Sequence, residues 1–224
     1  MKCPYCNNIN SYFLNTGQKK CAKCKRKFSP EKIILDETII ENFCEDINAN
    51  QLAKKLELNY ITIKKKYELF RSLISKYQEK QYNKHTSNEY DEYIYLPKSK
   101  KKIKQNIFDA FDFLTFNYGD EKIYNLLMPN LHRYKNQFLD DGLEDIYFKE
   151  FSKFMMFNKI AKTNKRENTI TRFWYFFEDW IVKYKGVNSE NFFFYLKECE
   201  FKFNYPKDEA KEILLHLYKE YKYS

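Results

Sequence analysis

Four cysteines near the N-terminus are the residues whose spacing most clearly indicates chemistry. They form two CxxC pairs, Cys3-Pro-Tyr-Cys6 and Cys21-Ala-Lys-Cys24, separated by fourteen residues. Two such turns can supply the four thiolates of a tetrahedral zinc site, and a redox-active CxxC is the alternative. The intervening Ser11-Tyr-Phe-Leu and Asn15-Thr-Gly17 are typical of a strand and a hairpin turn. We therefore predict a small β-structured zinc ribbon over residues 1–30, with structural Zn²⁺ bound by Cys3, Cys6, Cys21 and Cys24.

The charge of the chain favours a polyanionic partner. The chain has 40 Lys and Arg against 31 Asp and Glu, a formal net charge of +9, and residues 1–27 carry seven basic residues and no acidic one. Nucleic acid is the first candidate, and a membrane is disfavoured because no apolar run approaches the roughly 18 residues of a span. Lys25, Arg26 and Lys27 are candidate phosphate contacts, with a solvated charged face as the alternative.

Cysteine usage indicates the cellular compartment. Six cysteines with two CxxC pairs in a basic chain favour metal ligation in a reducing cytoplasm over disulfides. We therefore expect a cytoplasmic, nucleoid-associated protein. Cys44 and Cys199 each lie alone in a helical pattern and are predicted to be core thiols.

Residues 31–76 are predicted to form a three-helix domain. Asp36 is the predicted N-cap of the first helix, and Asn48 that of a short second helix over residues 49–56. A longer third helix is predicted from near Tyr60 to about Lys76, because five apolar side chains recur there at helical spacing, namely Ile61, Ile63, Tyr67, Phe70 and Ile74.

The stretch from Gln51 to Ile63 fits the helix-turn-helix pattern of DNA-binding proteins. It has a small residue in its first helix, a hydrophobic residue at the turn and a polar start to its second helix. Such a second helix can enter the major groove with its N-terminal side chains on base edges. The candidate DNA contacts are Thr62, Lys64, Lys65 and Lys66. A plain helical hairpin with a solvated lysine face is the alternative.

The rest of the chain predicts strands followed by helices. Residues 77–88 are polar and aperiodic, as expected of a linker. We then predict a strand at 89–96, a basic run at 98–104, a hairpin of strands at 111–116 and 122–128, and helices at 146–157, 170–185, 189–203 and 207–222. This order indicates an α/β or α+β domain over residues 89–224, and the whole chain is predicted to be multi-domain α+β.

Three passages resemble a known family. They are Lys25-Arg-Lys-Phe-Ser29 leading into the helix-turn-helix, Tyr90-Asp-Glu-Tyr-Ile-Tyr95, and the segment from Arg172-Phe-Trp-Tyr-Phe-Phe to the helix Leu196-Lys-Glu-Cys-Glu-Phe-Lys-Phe-Asn204. In this order they resemble bacterial insertion-sequence transposases, which have an N-terminal zinc ribbon, a helix-turn-helix and a ribonuclease H-like DDE domain. The resemblance implies that residues 89–224 are a reduced DDE domain.

The resemblance also implies a reaction and its carboxylates. In such a site two Mg²⁺ ions, bound by converging carboxylates, activate water and then a DNA 3′-hydroxyl for attack on a phosphodiester. By position, Asp91 matches the first aspartate of the family. Asp141, which precedes a glycine, matches the second, and Asp140 and Asp145 are alternatives.

The third carboxylate position departs from the family pattern. The family motif is approximately His-x-Asn-Gly-Ile-Glu-Asn-Phe-Trp, and Arg166-Glu-Asn-Thr-Ile-Thr-Arg-Phe-Trp174 aligns Thr171 with its glutamate. Threonine is neutral and a poor Mg²⁺ ligand. Glu167 is the alternative ligand, although Asn168 is the predicted N-cap, which would leave Glu167 outside the helix.

Three functions follow from these patterns. The leading one is a DNA-binding protein of transposase lineage, with double-stranded DNA and further copies of the chain as partners, no membrane, and an impaired DDE site. The second is an active transposase that uses Mg²⁺ and a relocated glutamate. The third is a zinc-ribbon/helix-turn-helix transcriptional regulator.

Overall fold

The computed structural model describes residues 1–96, 109–128, 168–184, 187 and 189–223. Within these residues the protein is mixed α+β, as predicted, with six helices and two three-stranded antiparallel sheets. The chain divides into two compact units. The first consists of Met1–Lys76 with Tyr205–Ser224, and the second of Tyr77–Asn204. Residues 205–224, which the sequence analysis assigned to the C-terminal domain, thus belong to the first unit.

The six helices carry most of the described structure. They are α1 (Pro30–Cys44), α2 (Ala49–Lys55), α3 (Tyr60–Tyr82), α4 (Thr169–Ile181), α5 (Ser189–Asn204) and α6 (Lys207–Tyr223). The last three match the helices predicted near these positions, and the helix predicted at 146–157 and the basic run at 98–104 lie outside the described residues. Among the helices described here, none is both long and apolar enough to cross a membrane.

The sheet of the first unit is a small antiparallel meander. It consists of β1 (Ser11–Phe13), β2 (Lys19–Cys21) and β3 (Lys27–Phe28), paired in that order. The turn between β1 and β2 contains Gly17 at φ 75°, a conformation that glycine adopts without steric cost. The predicted strand and hairpin turn are therefore confirmed.

The starts of α1 and α2 are set by their capping residues. Ser29 caps α1 by accepting a hydrogen bond of 3.3 Å from the backbone N–H of Lys32, and Pro30 opens the helix. The prediction that Asp36 caps this helix is wrong, because the Ser-Pro signal starts the helix earlier and leaves Asp36 in its interior. Asn48 caps α2, as predicted, with a bond of 2.9 Å from the N–H of Gln51.

The end of α3 differs from the prediction. The helix continues to Tyr82, so part of the predicted linker at 77–88 is helical. The reason is packing within the second unit: Gln78 is fully buried, and the Tyr82 ring stacks on Tyr124 at 4.2 Å between centroids. Since the boundary between the units follows Lys76, α3 contributes to both.

The helices of the first unit share an aromatic core. Phe43 of α1 meets Tyr67 and Phe70 of α3 at centroid distances of 4.8 and 5.5 Å, and Phe70 meets Tyr218 of α6 at 5.6 Å. Four of the five apolar side chains predicted to pack in α3 are buried. Ile61 is instead 57% exposed, in the first turn of the helix.

The second unit contains the larger sheet. It consists of β4 (Ser87–Tyr95), β5 (Phe111–Tyr118) and β6 (Lys122–Leu127), antiparallel and in that order, which agrees with the predicted strand and hairpin. Helices α4 and α5 contribute to the core against this sheet. For example, Phe192 of α5 stacks on Phe111 at 3.7 Å between ring centroids, and Trp174 and Trp180 of α4 are almost fully buried.

Candidate metal centre and nucleic-acid interface

The four cysteines of the CxxC pairs converge on one point of the first unit. Their Sγ atoms all lie within 4.8 Å of one another. The Sγ of Cys3 is 3.6 Å from that of Cys24, and the Sγ of Cys6 is 3.5 Å from that of Cys21. Tetrahedral zinc with bonds of about 2.3 Å places its sulfur ligands about 3.8 Å apart, so this cluster could hold such an ion. Disulfides are excluded, since all four thiols are free.

The two CxxC turns have the same backbone geometry. In the first, the N–H of Cys3 donates to the carbonyl of Asn8 and the N–H of Asn7 donates to the carbonyl of Cys3, both at 2.9 Å. The turn that starts at Cys21 repeats both bonds at 3.0 and 3.2 Å. The equivalent residues Asn7 and Lys25 both have positive φ, at 57° and 62°. Each turn thus presents its two sulfurs to the same side.

Hydrogen bonds and burial shift the pKa values of Cys21 and Cys3 in opposite directions. Burial raises the pKa of the Cys21 thiol, but N–H groups of Cys24 and Lys23 and the amide of Asn8 outweigh that effect and lower the pKa to about 6. The Lys23 N–H lies 3.4 Å from this sulfur. Burial is the main reason that the pKa of Cys3 is raised to about 11. A bound cation would overcome this burial cost, because it deprotonates a coordinating thiol.

The three basic residues predicted after the second cysteine pair lie on the surface. Lys25, Arg26 and Lys27 are all exposed. The Arg26 guanidinium also lies over the ring of Tyr5, 4.8 Å from its centroid. Tyr5 in turn meets Tyr223 of α6 edge to face at 5.1 Å. The cysteine cluster is therefore packed against Tyr223 of α6 and lies in a segment with exposed basic side chains.

The start of α3 exposes most of the predicted DNA contacts. Asn59 precedes the helix and accepts a bond of 2.8 Å from the N–H of Ile61 through its side chain. Thr62, Lys64 and Lys65 are exposed in the first turns that follow. Lys64 lies 3.8 Å from Glu68 in a solvent-exposed ion pair, which competes weakly with an external anion.

Lys66 occupies a different environment from its neighbours. Its ammonium pairs with the buried carboxylate of Asp36 on α1 and donates to the hydroxyl of Tyr218 on α6 at 3.2 Å. Asp36 also pairs with Lys222 and accepts from Tyr218 at 2.9 Å. Burial raises the pKa of Asp36, but bonds from Lys222 and Lys66 outweigh it and hold the pKa below its usual value. Lys66 therefore joins three helices, and its ammonium is engaged inside the first unit, unlike those of the other lysines predicted to contact DNA.

Asp91 lies on β4 in a row of polar side chains across the second sheet. Its register partner on β5 is Thr115, and the partner of Thr115 on β6 is Asn125. The Asp91 carboxylate accepts a bond of 2.9 Å from the N–H of Glu92. The other predicted carboxylates lie outside the described residues, namely Asp140, Asp141, Asp145 and Glu167. Within the described residues, the cysteine cluster is the one group of three or more His, Cys, Asp or Glu suited to an ion.

Thr171 lies in the first turn of α4 and belongs to its cap. As predicted, Asn168 is the N-cap: its side chain accepts from the N–H of Thr171 at 2.9 Å, and the Thr171 hydroxyl accepts from the N–H of Asn168 at 3.1 Å. Asn168 also donates to Glu89 at 2.8 Å, and Trp174 donates to Thr115 at 2.9 Å. Asn168 and Trp174 lie on either side of Thr171 in the sequence, and their partners Glu89 and Thr115 are neighbours of Asp91 in the sheet. Thr171 and Asp91 therefore both lie where the start of α4 packs on β4 and β5.

A buried charged cluster in the second unit was not predicted from the sequence. Glu200 accepts from the N–H and side-chain amide of Asn125 at 2.7 and 3.0 Å and pairs with Lys197 at 2.9 Å. The Lys197 ammonium also lies 3.4 Å from the centroid of the Tyr124 ring. Charged residues three positions apart within an apolar helical pattern were the available signal. They explain the Lys-Glu-Cys-Glu passage as a structural element that joins α5 to β6.

Comparisons with known proteins add no family to these observations. No protein-family model, curated protein or solved structure matches the chain.

Proposed function

We propose that this protein binds duplex DNA through its first unit, with β1–β3 forming a zinc ribbon and α2 and α3 a helix-turn-helix. The observation that carries the proposal is that the start of α3 has one exposed face and one buried face. Thr62, Lys64 and Lys65 are exposed there, and Ile63 and Tyr67 on the opposite face are buried in the core. A helix held by one face, with a basic and hydroxylic face toward solvent, suits insertion into the major groove.

The exposed apolar residues at the same end favour contact with bases. Tyr60 is 47% exposed and Ile61 is 57% exposed, although both start a helix that is otherwise well packed. In the major groove an apolar side chain can contact the thymine methyl group, and a lysine can donate to guanine or to a phosphate. We therefore assign sequence readout to the first turn of α3.

The cysteine cluster organises a second basic surface of the first unit. Residues 1–28 contain no acidic side chain, and the small sheet has little core beyond Cys3, Cys21 and Phe28. Metal binding would therefore supply much of the folding free energy, on the order of 10 kcal/mol for comparable zinc sites. Lys25 and Lys27 would then contact phosphates that flank the major groove.

A pair of charge reversals tests the docked helix. The probe is a randomised duplex library, followed by the duplex that the zinc-loaded full chain enriches. Lys64→Glu with Lys65→Glu should weaken binding to that duplex by at least roughly a hundredfold and reduce its salt dependence. The matched control is Lys76→Glu with Lys80→Glu, the same charge change on exposed sites about three to four turns further along α3. Equal losses in the two variants would contradict a docked helix and indicate diffuse charge attraction.

We propose DNA strand cleavage by the second unit as a further, impaired activity. The polar row that contains Asp91 lies in the same region as the start of α4, where Thr171 takes the position of the family glutamate. A neutral threonine there leaves fewer carboxylates for two Mg²⁺ ions, and loss of one such ion costs several orders of magnitude in rate.

Restoring the carboxylate tests this impaired site. A glutamate suits the third position of a capped helix, so Thr171→Glu is compatible with the Asn168 cap. It should produce Mn²⁺- or Mg²⁺-dependent nicking of a plasmid that carries the enriched duplex, and Asp91→Ala should abolish that nicking. Thr169→Glu, at the equally buried first position of α4, is the matched control. Robust nicking by the unaltered chain would contradict the impaired site and favour Glu167 as ligand. DNA binding without nicking in every variant would favour a regulator.

A further inference from the structure

Two aromatic side chains project from the edge strand of the small sheet. Tyr12 is 64% exposed and Phe13 is 75% exposed, and both lie on β1, which pairs with β2 on one side. Ile9, just before this strand, is 72% exposed. The same unit has a core that buries Phe28, Phe43 and Phe70 almost completely. Because successive side chains of a strand point to opposite faces of the sheet, Tyr12 and Phe13 project from the two faces along the same unpaired edge. Exposed rings along the edge of so small a sheet indicate an edge that a partner covers.

The strand register places lysines beside both rings. Tyr12 pairs with Lys20, and Lys20 pairs with Lys27, so these three side chains form a row on one face of the sheet. Phe13 pairs with Lys19, whose ammonium lies 4.4 Å from the centroid of the phenylalanine ring. Each exposed ring therefore has a basic side chain one strand away, about 5 Å along the sheet.

Charge identifies the kind of partner that fits this surface. Residues 1–28 carry seven basic side chains and no acidic one, so the surface attracts a polyanion and repels a second copy of itself. Flat rings interleaved with lysines are the combination that stacks unpaired bases and follows their phosphates. In a duplex the base faces are already stacked on each other, so that exposed rings of this kind find no base face to cover.

We propose that the exposed edge of the small sheet at β1, where Tyr12 with Lys20 lies on one face and Phe13 with Lys19 on the other, binds single-stranded DNA that follows this edge. The two rings stack on unpaired bases, and the two lysines contact the adjoining phosphates. The inference rests on the proposed DNA binding but not on the α3 contacts, since it concerns a different surface and a different form of DNA. A protein with both surfaces would hold a duplex through α3 and a locally opened strand through the sheet.

Aromatic substitutions in the zinc-loaded full chain test the proposal. The probes are an oligodeoxythymidine of about 20 nucleotides and the duplex enriched as above, measured by fluorescence anisotropy. Tyr12→Ala and Phe13→Ala should each weaken binding to the single strand by roughly tenfold, the usual effect of losing one stacked base, and change duplex binding less than about twofold. Tyr12→Phe should retain the affinity, because it keeps the ring. Tyr221→Ala removes a tyrosine of similar exposure, 61%, on α6 and is the matched control.

The possible results distinguish single-strand binding at the sheet edge from duplex binding through α3 and from self-association. Zinc content and thermal unfolding identify a variant that fails to fold, and a bromodeoxyuridine-substituted single strand, photocrosslinked to the unaltered chain, should then label Tyr12 or Phe13. Three results would overturn the single-strand proposal. One is unchanged single-strand affinity in a variant that combines Tyr12→Ala with Phe13→Ala. The others are equal losses of affinity for the single strand and the duplex, and tighter binding of oligouridine than of oligodeoxythymidine. Self-association that the alanine variants abolish would overturn it in favour of a second copy. Single-strand binding without duplex binding would refute the α3 proposal and leave this one standing.

Discussion

Removing the Asp36 carboxylate should destabilise the first unit strongly. The side chain is buried at 6% exposure on α1 and pairs with Lys66 of α3 and Lys222 of α6, which are only partly exposed. Breaking a buried ion pair from one side costs about 3–5 kcal/mol, because the remaining charges stay desolvated without a partner. Since both lysines retain some contact with water, we expect the lower end, about 3 kcal/mol, for Asp36→Asn.

The neighbouring Glu37 offers a matched control. Its carboxylate pairs with Lys219 of α6 at 2.9 Å, also between α1 and α6, but the two side chains are 39% and 49% exposed. Exposed pairs contribute less than about 1 kcal/mol. Glu37→Gln should therefore have a small effect, although it removes the same charge from the same helix one position later.

Hydrogen exchange measured by mass spectrometry can report each unit separately. Peptides from α1 and from the first turns of α3 should lose about 3 kcal/mol of protection in Asp36→Asn. Both tryptophans, Trp174 and Trp180, lie in the second unit, so their fluorescence on denaturation should be unchanged. A loss in Asp36→Asn no larger than that in Glu37→Gln would refute the role assigned to this cluster.

The same cluster predicts an acid-sensitive first unit. The pKa of Asp36 is lowered in the folded protein by its lysine partners, against the effect of burial. A carboxyl with a lowered folded pKa contributes stability that is fully present above its unfolded pKa of about 3.9 and is lost as pH falls through the folded value. The stability of the unaltered first unit should therefore fall below about pH 4 more steeply than that of Asp36→Asn.

Three further predictions concern single side chains. Cys21→Ser should lose the one zinc per chain expected in elemental analysis, and full occupancy in that variant would contradict the four-thiolate site. Lys25→Gly should raise the thermal stability of the zinc-loaded chain by about 1 kcal/mol, because Lys25 has φ 62°, and Lys23→Gly should not raise it. Glu200→Gln should lower the stability of the second unit by about 3–5 kcal/mol, because it removes the ion-pair partner of the buried Lys197, and Lys197→Met in the same chain should recover much of that loss.

Local signals predicted most of the described elements. The two CxxC pairs predicted that Cys3, Cys6, Cys21 and Cys24 cluster, and they do. The Asn48 cap and the alternation in β4 act within a few residues, and the helix and the strand that they predict are present. The prediction that Asp36 caps α1 was wrong because the stronger Ser29-Pro30 signal lies upstream. The predicted end of α3 was wrong because tertiary packing, which buries Gln78 and stacks Tyr82 on Tyr124, extends the helix through polar and amphipathic residues.

Side-chain pairs between residues far apart in the chain could not be predicted from the sequence. Nothing local distinguishes Lys66 from Lys64 or Lys65, yet Lys66 meets a carboxylate thirty positions earlier and a tyrosine far later in the chain. Glu200 similarly depends on Asn125, from another strand. In a single sequence, helical periodicity predicts which face of its helix such a residue lies on. It does not predict which other element packs against that face.

The return of α6 to the first unit has a consequence for synthesis on the ribosome. Asp36 and Lys66 emerge early, but Tyr218 and Lys222, which complete their cluster, emerge only after all of residues 77–204. At about 5–20 residues per second this interval is on the order of ten seconds. During this interval Tyr223, which packs against the cysteine cluster in the complete chain, is not yet in place. Until α6 emerges, therefore, the first unit should stay incomplete, although the four cysteines that could hold a metal ion are already present.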